Sequence, residues 1–363
     1  MVKKKDATTE ERPQSEEVSV EKNNSIETEK EESKEIVASV IAPTAEIQLA
    51  SKFGIENPTT EFISLYKDEL QRLASEEKTK SELQQILMDL PEELQEKMSN
   101  IYRAMSGKKR GAIGGDTDTS SFLSLHLYHG VGTDPMRPED LPVGNFYGSS
   151  GTDFGKEFVG TVLAYTKGRA MLGDKNLGED TSRPLCSSWD RKVGNSYGDC
   201  DVCPFRPWKD GKINRCGNDI LFYFLDKEMT GIYTLRFAKT SEGGGRQLAK
   251  LAGTTIDLWS RWYRIYAEKQ KSGDGKQEYR VLKATPWTPP TGESALVPDA
   301  LQNVCEMLSH SIVSKHILPR INTIYQDGAK ARIDSNDGYS ATPPEDGGDG
   351  DFSNVDTDSL SNI

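Results

Sequence analysis

Apolar residues recur at three- and four-residue spacing from Thr59 onward, at Phe62, Leu65, Tyr66, Leu70 and Leu73. That period is the mark of a helix burying one face. Ser81 and Gln84 open a second such segment through Leu83, Ile86, Leu87 and Leu90, and Pro91 opens a third with Leu94, Met98, Ile101 and Tyr102, proline being favoured in a first helical turn. Together they predict a helical arm over 59–106, docked on the rest of the chain or holding a partner. From Phe122 the period drops to two, which predicts a strand over 121–130. Residues 132–155, rich in Gly, Pro and Asp, read as loop. Five further strands are predicted at Phe158–Tyr165, Ile220–Leu225, Ile232–Ala238, Arg261–Gln270 and Glu278–Thr285, the last two joined by a KSGDGK hairpin turn. Leu248, Leu251 and Ala252 mark a helix between the third and fourth of these five.

Strand, long loop, strand, strand, helix, strand, strand is the order of an OB-fold, a five-stranded barrel. The fold class expected is therefore α+β, with an OB-like domain over 120–290 and the strand at 121–130 as an addition. A last helix is expected over 296–320, with Leu301, Val304, Cys305, Leu308 and Ile312 on one face, ending near Pro319. Hydrophobic residues make up only 35% and aromatics 8% of the 363 residues, low enough to imply segments that bury no core. Those segments are placed at 1–50 and 334–363. No window approaches the ~18 apolar residues of a membrane helix, and the basic MVKKKD start leads into no apolar run. The expectation is a soluble cytoplasmic protein without membrane contact, whose cysteines stay reduced.

The net charge of −12 at first argues against a nucleic-acid partner. Its distribution reverses that reading. Residues 1–50 carry 7 basic and 12 acidic residues, and 334–363 carry 8 acidic and no basic ones. Between them, 186–288 hold 18 basic and 12 acidic residues, a net +6.

Four of the five cysteines fall inside that basic region, at Cys186, Cys200, Cys203 and Cys216. A C-x2-C knuckle with one thiol on either side can close tetrahedrally around zinc, and with sulfur in all four positions the ion would be structural. Merely buried or redox-active thiols are the alternative. Trp189, Phe205 and Trp208 lie among the cysteines, with Arg191, Lys192, Lys209, Lys212 and Arg215 around them. Rings that stack on bases and cations that follow phosphates are what a single strand needs. Trp262, Arg264 and Tyr266 alternate along a later strand and extend the candidate surface, although one face of that strand must be core. Neither a P-loop nor a deaminase H-x-E motif occurs, and no enzymatic activity is expected.

Cys186, the run Cys200-Asp201-Val202-Cys203-Pro204, Cys216 and the strand from Ile220 resemble the zinc-containing single-stranded DNA-binding proteins of tailed phages. The resemblance implies sequence-independent coating of single-stranded DNA in replication and recombination, in the host bacterial cytoplasm. It also implies an acidic C-terminal tail that competes for the groove and recruits replication or recombination proteins, although SLSNI at the end lacks an aromatic tip. A non-enzymatic zinc-stabilised adaptor binding protein, or an RNA-binding protein, are the other classes this sequence admits.

Overall fold

The computed structural model describes residues 44–105, 122–130, 137–173, 184–205, 215–254, 257–272, 275–276, 278–290 and 293–336. Four helices come first: α1 (Ala45–Lys52), α2 (Thr60–Ser75), α3 (Lys80–Met88) and α4 (Glu92–Met105). Their starts follow from side-chain caps. Thr44 and Thr59 accept from the amides of Ile47 and Phe62, and Thr79 with Glu82 forms a capping box. The box lies two residues before the expected Ser81, and it satisfies two amides that would otherwise be orphaned. α1 corrects the expectation of an unfolded 1–50, since Ala50 is fully buried and Phe53 and Ile55 join the same core.

The strands are β1 (Leu123–Leu127), β2 (Phe146–Gly148), β3 (Asp153–Gly155), β4 (Glu157–Leu172), β5 (Pro184–Ser188), β6 (Val193–Gly194), β7 (Gly198–Asp199), β8 (Cys216–Asp226), β9 (Ile232–Ala238), β10 (Tyr263–Lys271) and β11 (Glu278–Pro286). Helix α5 (Glu242–Gly253) lies between β9 and β10. α6 (Asp299–Ile312) runs through a π-helical turn at Val313–Ile317 into α7 (Leu318–Asn336).

One strongly curled half-barrel sheet has the order β11-β10-β4-β8-β9-β1-β2-β3, with β5 pairing the far end of β4. β6 and β7 form a separate two-stranded ribbon. All five strands expected for the barrel are present and neighbour one another in that order. Where a closed barrel would bring the free edge of β9 to β11, β1 occupies it instead, in parallel register at Leu123–Tyr233 and Ser124–Thr234. Across the open side, Arg280 of β11 reaches the Val143 carbonyl at 3.5 Å. The stretch read as loop over 132–155 contributes β2 and β3, whose few residues lie below the length at which alternation can be seen.

The two faces of the sheet bury different cores. On the inner face Phe158, Val162, Phe222, Phe224, Leu235, Phe237 and Ile265 meet Leu248 and Ala252 of α5. On the outer face Leu163, Tyr223, Leu225 and Trp262 meet apolar residues of α2, α4, α6 and α7. The helical segment over 59–106 is thus one layer of the domain and does not project as an arm. A β-bulge at Leu163 divides β4, so Val162 faces inward while Leu163 and Ala164 both face outward, and Tyr165 points inward again. One extra residue in a strand inverts the face of everything after it.

The last helix does not end near Pro319. A proline ring clashes with the carbonyl four residues back in an α-helix. Here the preceding turn widens into the π-helical Val313–Ile317, which accommodates the ring. Ile317 and Leu318 are buried just before the proline, and Ile321, Ile324 and Tyr325 after it, so packing holds the helix to Asn336 and takes in the first residues of the expected 334–363 tail. Residues 337–363 lie outside the described residues, as do 1–43.

Candidate metal centre and nucleic-acid surface

Register brings the outer two cysteines together. Cys186 on β5 and Cys216 at the start of β8 both pair with Met171 of β4, from opposite edges of that strand. Directly paired residues share a face of the sheet, so both side chains project the same way. Cys200 follows β7 directly, and Cys203 lies in the next turn. All four then line one small cavity of about 20 Å³ with Arg169, Met171 and Phe205. That is room for a single ion or water, and far less than a small-molecule site needs.

Gly194 makes this space. A Cβ at that position would lie 2.7 Å from the Cys186 sulfur and 3.7 Å from that of Cys200. Burial, and secondarily the neighbouring thiols, push Cys200 up to about 11 and Cys216 up to about 12; burial raises Cys186 as well. Four ionised sulfurs in such a space need a cation among them. The donor chemistry, the size of the cavity and the missing Cβ all fit one soft ion. As the side chains stand, however, no three His, Cys, Asp or Glu residues among the described ones form a metal-ligand set.

The loop around the thiols is fixed by few contacts. Asp190 accepts from the hydroxyls of Tyr66 (2.8 Å) and Tyr325 (2.6 Å) with one oxygen, and from Ser188 and the amides of Lys192 and Val193 with the other. Burial, and after it the paired carboxylate, raise both tyrosines well above their ordinary range. Gly328 of α7 lets that helix press on the ribbon, for a Cβ there would meet the Val193 side chain at 2.8 Å and the Gly194 carbonyl at 2.9 Å. Arg169 donates to the Cys200 carbonyl at 2.9 Å.

Several residues expected to face a nucleic acid serve the fold instead. Trp262 is only 4% exposed and belongs to the outer core. Trp189 is half-buried against the same core, with the Arg320 guanidinium 4.9 Å over its ring. Arg191, at φ +64°, donates to the carbonyls of Gly168 (3.0 Å) and Asp219 (2.8 Å) and pairs with Glu242, which stitches the loop to β4, β8 and α5. Arg264 is exposed but ion-paired to Glu157, and it lies 4.9 Å over the ring of half-buried Tyr266. Lys192 is exposed beside the Tyr66 ring, and Arg215 is half-buried. Trp208, Lys209 and Lys212 lie outside the described residues.

The structure keeps the expected Phe205 beside the thiols and adds Tyr197, which sequence reasoning missed as a stacking ring. The rings of Tyr197 and Phe205 are 5.2 Å apart beside the thiol cavity, with Tyr197 41% exposed and neighbouring Val202 78% exposed. The position of Tyr197 three residues before Cys200 was the available signal; only the ribbon turn brings it back to Phe205. No protein-family model matches the chain, and neither curated proteins nor solved structures yield a match to it.

Proposed function

We propose that this chain binds single-stranded DNA without sequence preference, on an OB-like half-barrel whose longest loop is held by a structural zinc ion. One observation carries the reading: the loop joining β4 to β8, the first two strands of the order β11-β10-β4-β8-β9, brings all four cysteines to one cavity. Strands wired in that order, with a helix between the third and fourth, support an OB-like scaffold, and that loop is a principal strand-binding element of such scaffolds. Cys186, Cys200, Cys203 and Cys216 would hold the zinc. With every position taken by sulfur the ion would have no open site, and its contribution would be to fix the loop.

The stacking surface in this reading is exposed Tyr197 with half-buried Phe205, together with Lys192, Arg215 and the expected Trp208, Lys209 and Lys212; Tyr266 and Arg264 form a second patch on β10. The acidic segment 337–363 would compete with DNA for these cations and offer a docking site to replication or recombination proteins. Titration of a fluorescent oligo-dT at two salt concentrations tests the proposal. Binding that weakens as salt rises is expected, since released counterions drive phosphate contacts. No binding at low salt, or affinity indifferent to salt, overturns it. Phe205→Ala and Tyr266→Ala should each weaken binding by about 1–3 kcal/mol if they stack on a base, and a chain ending at Asn336 should bind more tightly. Oligo-U run in parallel separates DNA from RNA preference. Metal retained without any oligonucleotide binding would point to the adaptor reading.

A further inference from the structure

A second cavity, distinct from the thiol site, opens within the helical layer. It has a volume of about 350 Å³ and lies among α1, α2, α3, α4 and α6, with Trp259 at its side. That size falls in the range of small-molecule sites. Phe53, Tyr102 and Trp259 give it three aromatic walls, and burial raises the Tyr102 hydroxyl above its usual range.

Two polar features inside it are unspent. Ser311 is 5% exposed, yet its hydroxyl has no hydrogen-bond partner among the described residues. Its neighbour Ser314 shows what a serine on this helix does by default, donating to the carbonyl of His310 one turn back at 2.7 Å. Ser311 makes no such bond, and it lines the cavity instead. A buried hydroxyl without a partner costs about 1–3 kcal/mol, a cost that a polar ligand atom would remove.

Charge supplies the second feature. Lys52 pairs with Glu77, Arg72 with Glu76 and also with Glu69 outside the cavity, and Lys78 with Glu306 at 2.7 Å. These pairs take up every carboxylate lining the cavity, and the fourth cation, Lys315, is exposed and makes no ion pair among the described residues. A lysine without an ion pair, beside aromatic walls and a buried hydroxyl, is the complement of an aromatic anion.

We infer that this cavity binds a small aromatic ligand carrying an anionic group, with the ring between Phe53, Tyr102 and Trp259, the anion at Lys315 and a polar atom at the Ser311 hydroxyl. The anion could be a carboxylate or the phosphate of a mononucleotide, and the experiment separates them. The purified full-length protein is titrated calorimetrically with 3-phenylpropionate, with adenosine 5′-monophosphate and with the neutral 3-phenylpropionamide. One of the two anions should bind saturably at one per chain, and the neutral amide at least about tenfold more weakly, in line with loss of a charge-assisted contact.

Ser311→Ala distinguishes a ligand role from a structural one. Removing an unpartnered buried hydroxyl should leave thermal stability unchanged or raised, while loss of a hydrogen bond to ligand weakens affinity about three- to tenfold. Lys315→Gln should abolish the preference for the anion over the amide. The proposal falls if neither anion binds, if the amide binds as well as the anions, or if both variants bind with wild-type affinity. It also falls if Ser311→Ala destabilises the protein, because the hydroxyl then serves the fold.

Discussion

The inner core of the half-barrel and the cysteine loop beside it are held by opposite means. Phe158, Phe222, Phe224 and Phe237 meet edge-to-face and stacked at 5.5–5.8 Å, within a cluster of apolar residues from most strands of the sheet. No one contact there is indispensable, because dispersion and burial are spread over many atoms. The loop has little apolar surface of its own. It depends on Asp190, Arg191, two glycines that admit close approach, and four thiols around a space the size of one ion. A region built from apolar area degrades by degrees, and a region built from a few polar contacts fails at named atoms.

The strongest way to test that contrast is to take away the proposed zinc. Chelation, or Cys216→Ser, should lower zinc content from about one per chain to none and give the largest fall in melting temperature, because metal binding is folding free energy for a loop without a core. The loop should become protease-sensitive while the sheet persists. Acid should mimic chelation, since protons compete for thiolates. Metal-free protein should behave in the opposite sense. Its raised thiols at about 11 and 12 favour the neutral form, so their contribution is full below the unfolded value of about 8.5 and fades as pH rises toward the folded values. Melting curves of both forms from pH 6 to pH 10.5 check the two trends.

Phe224→Ala comes next, expected to cost about 3–5 kcal/mol through the cavity it leaves, with zinc content unchanged. If zinc is lost as well, the two regions are not separable. Gly328→Ala should cost about 1–3 kcal/mol as α7 is forced off the ribbon, with a weaker hold on zinc as a second readout. The smallest effect is expected from Asp190→Asn, about 1.5 kcal/mol in a denaturant titration, for it exchanges one acceptor of two tyrosine hydroxyls for a donor. An effect as large as that of Phe224→Ala would mean that the polar hub, not the thiols, holds the loop.

Wherever a segment's own residues carried the physical cause, its structure was legible without the fold. The apolar spacing from Phe62 to Leu73 gave α2, and the runs at 220–225, 232–238 and 278–285 gave three strands to within a few residues. Cysteine spacing picked out the loop as a unit, and the succession of elements gave the mixed α+β class. What eluded sequence reasoning depended on partners far along the chain. Alternation along SRWYRIYAEKQ offered Trp262 to solvent as readily as to a core, and the helical layer over the outer face decided it. Arg191 looked like a phosphate contact until two carbonyls from β4 and β8 came within its reach.

Pro319 reads as a helix stop because the local clash is certain, while the buried face beyond it, which outweighs the clash, is a property of the assembled molecule. The bulge at Leu163 is the sharpest case: no residue type marks it, yet it reverses which side of β4 faces the core. Sequence alone determined which segments could be helix or strand and which thiols belong together, since propensity, period and spacing are local. Tertiary structure decided which face of each element is buried and which side chains remain free to bind, because burial is a relation between segments and no single stretch of chain contains it.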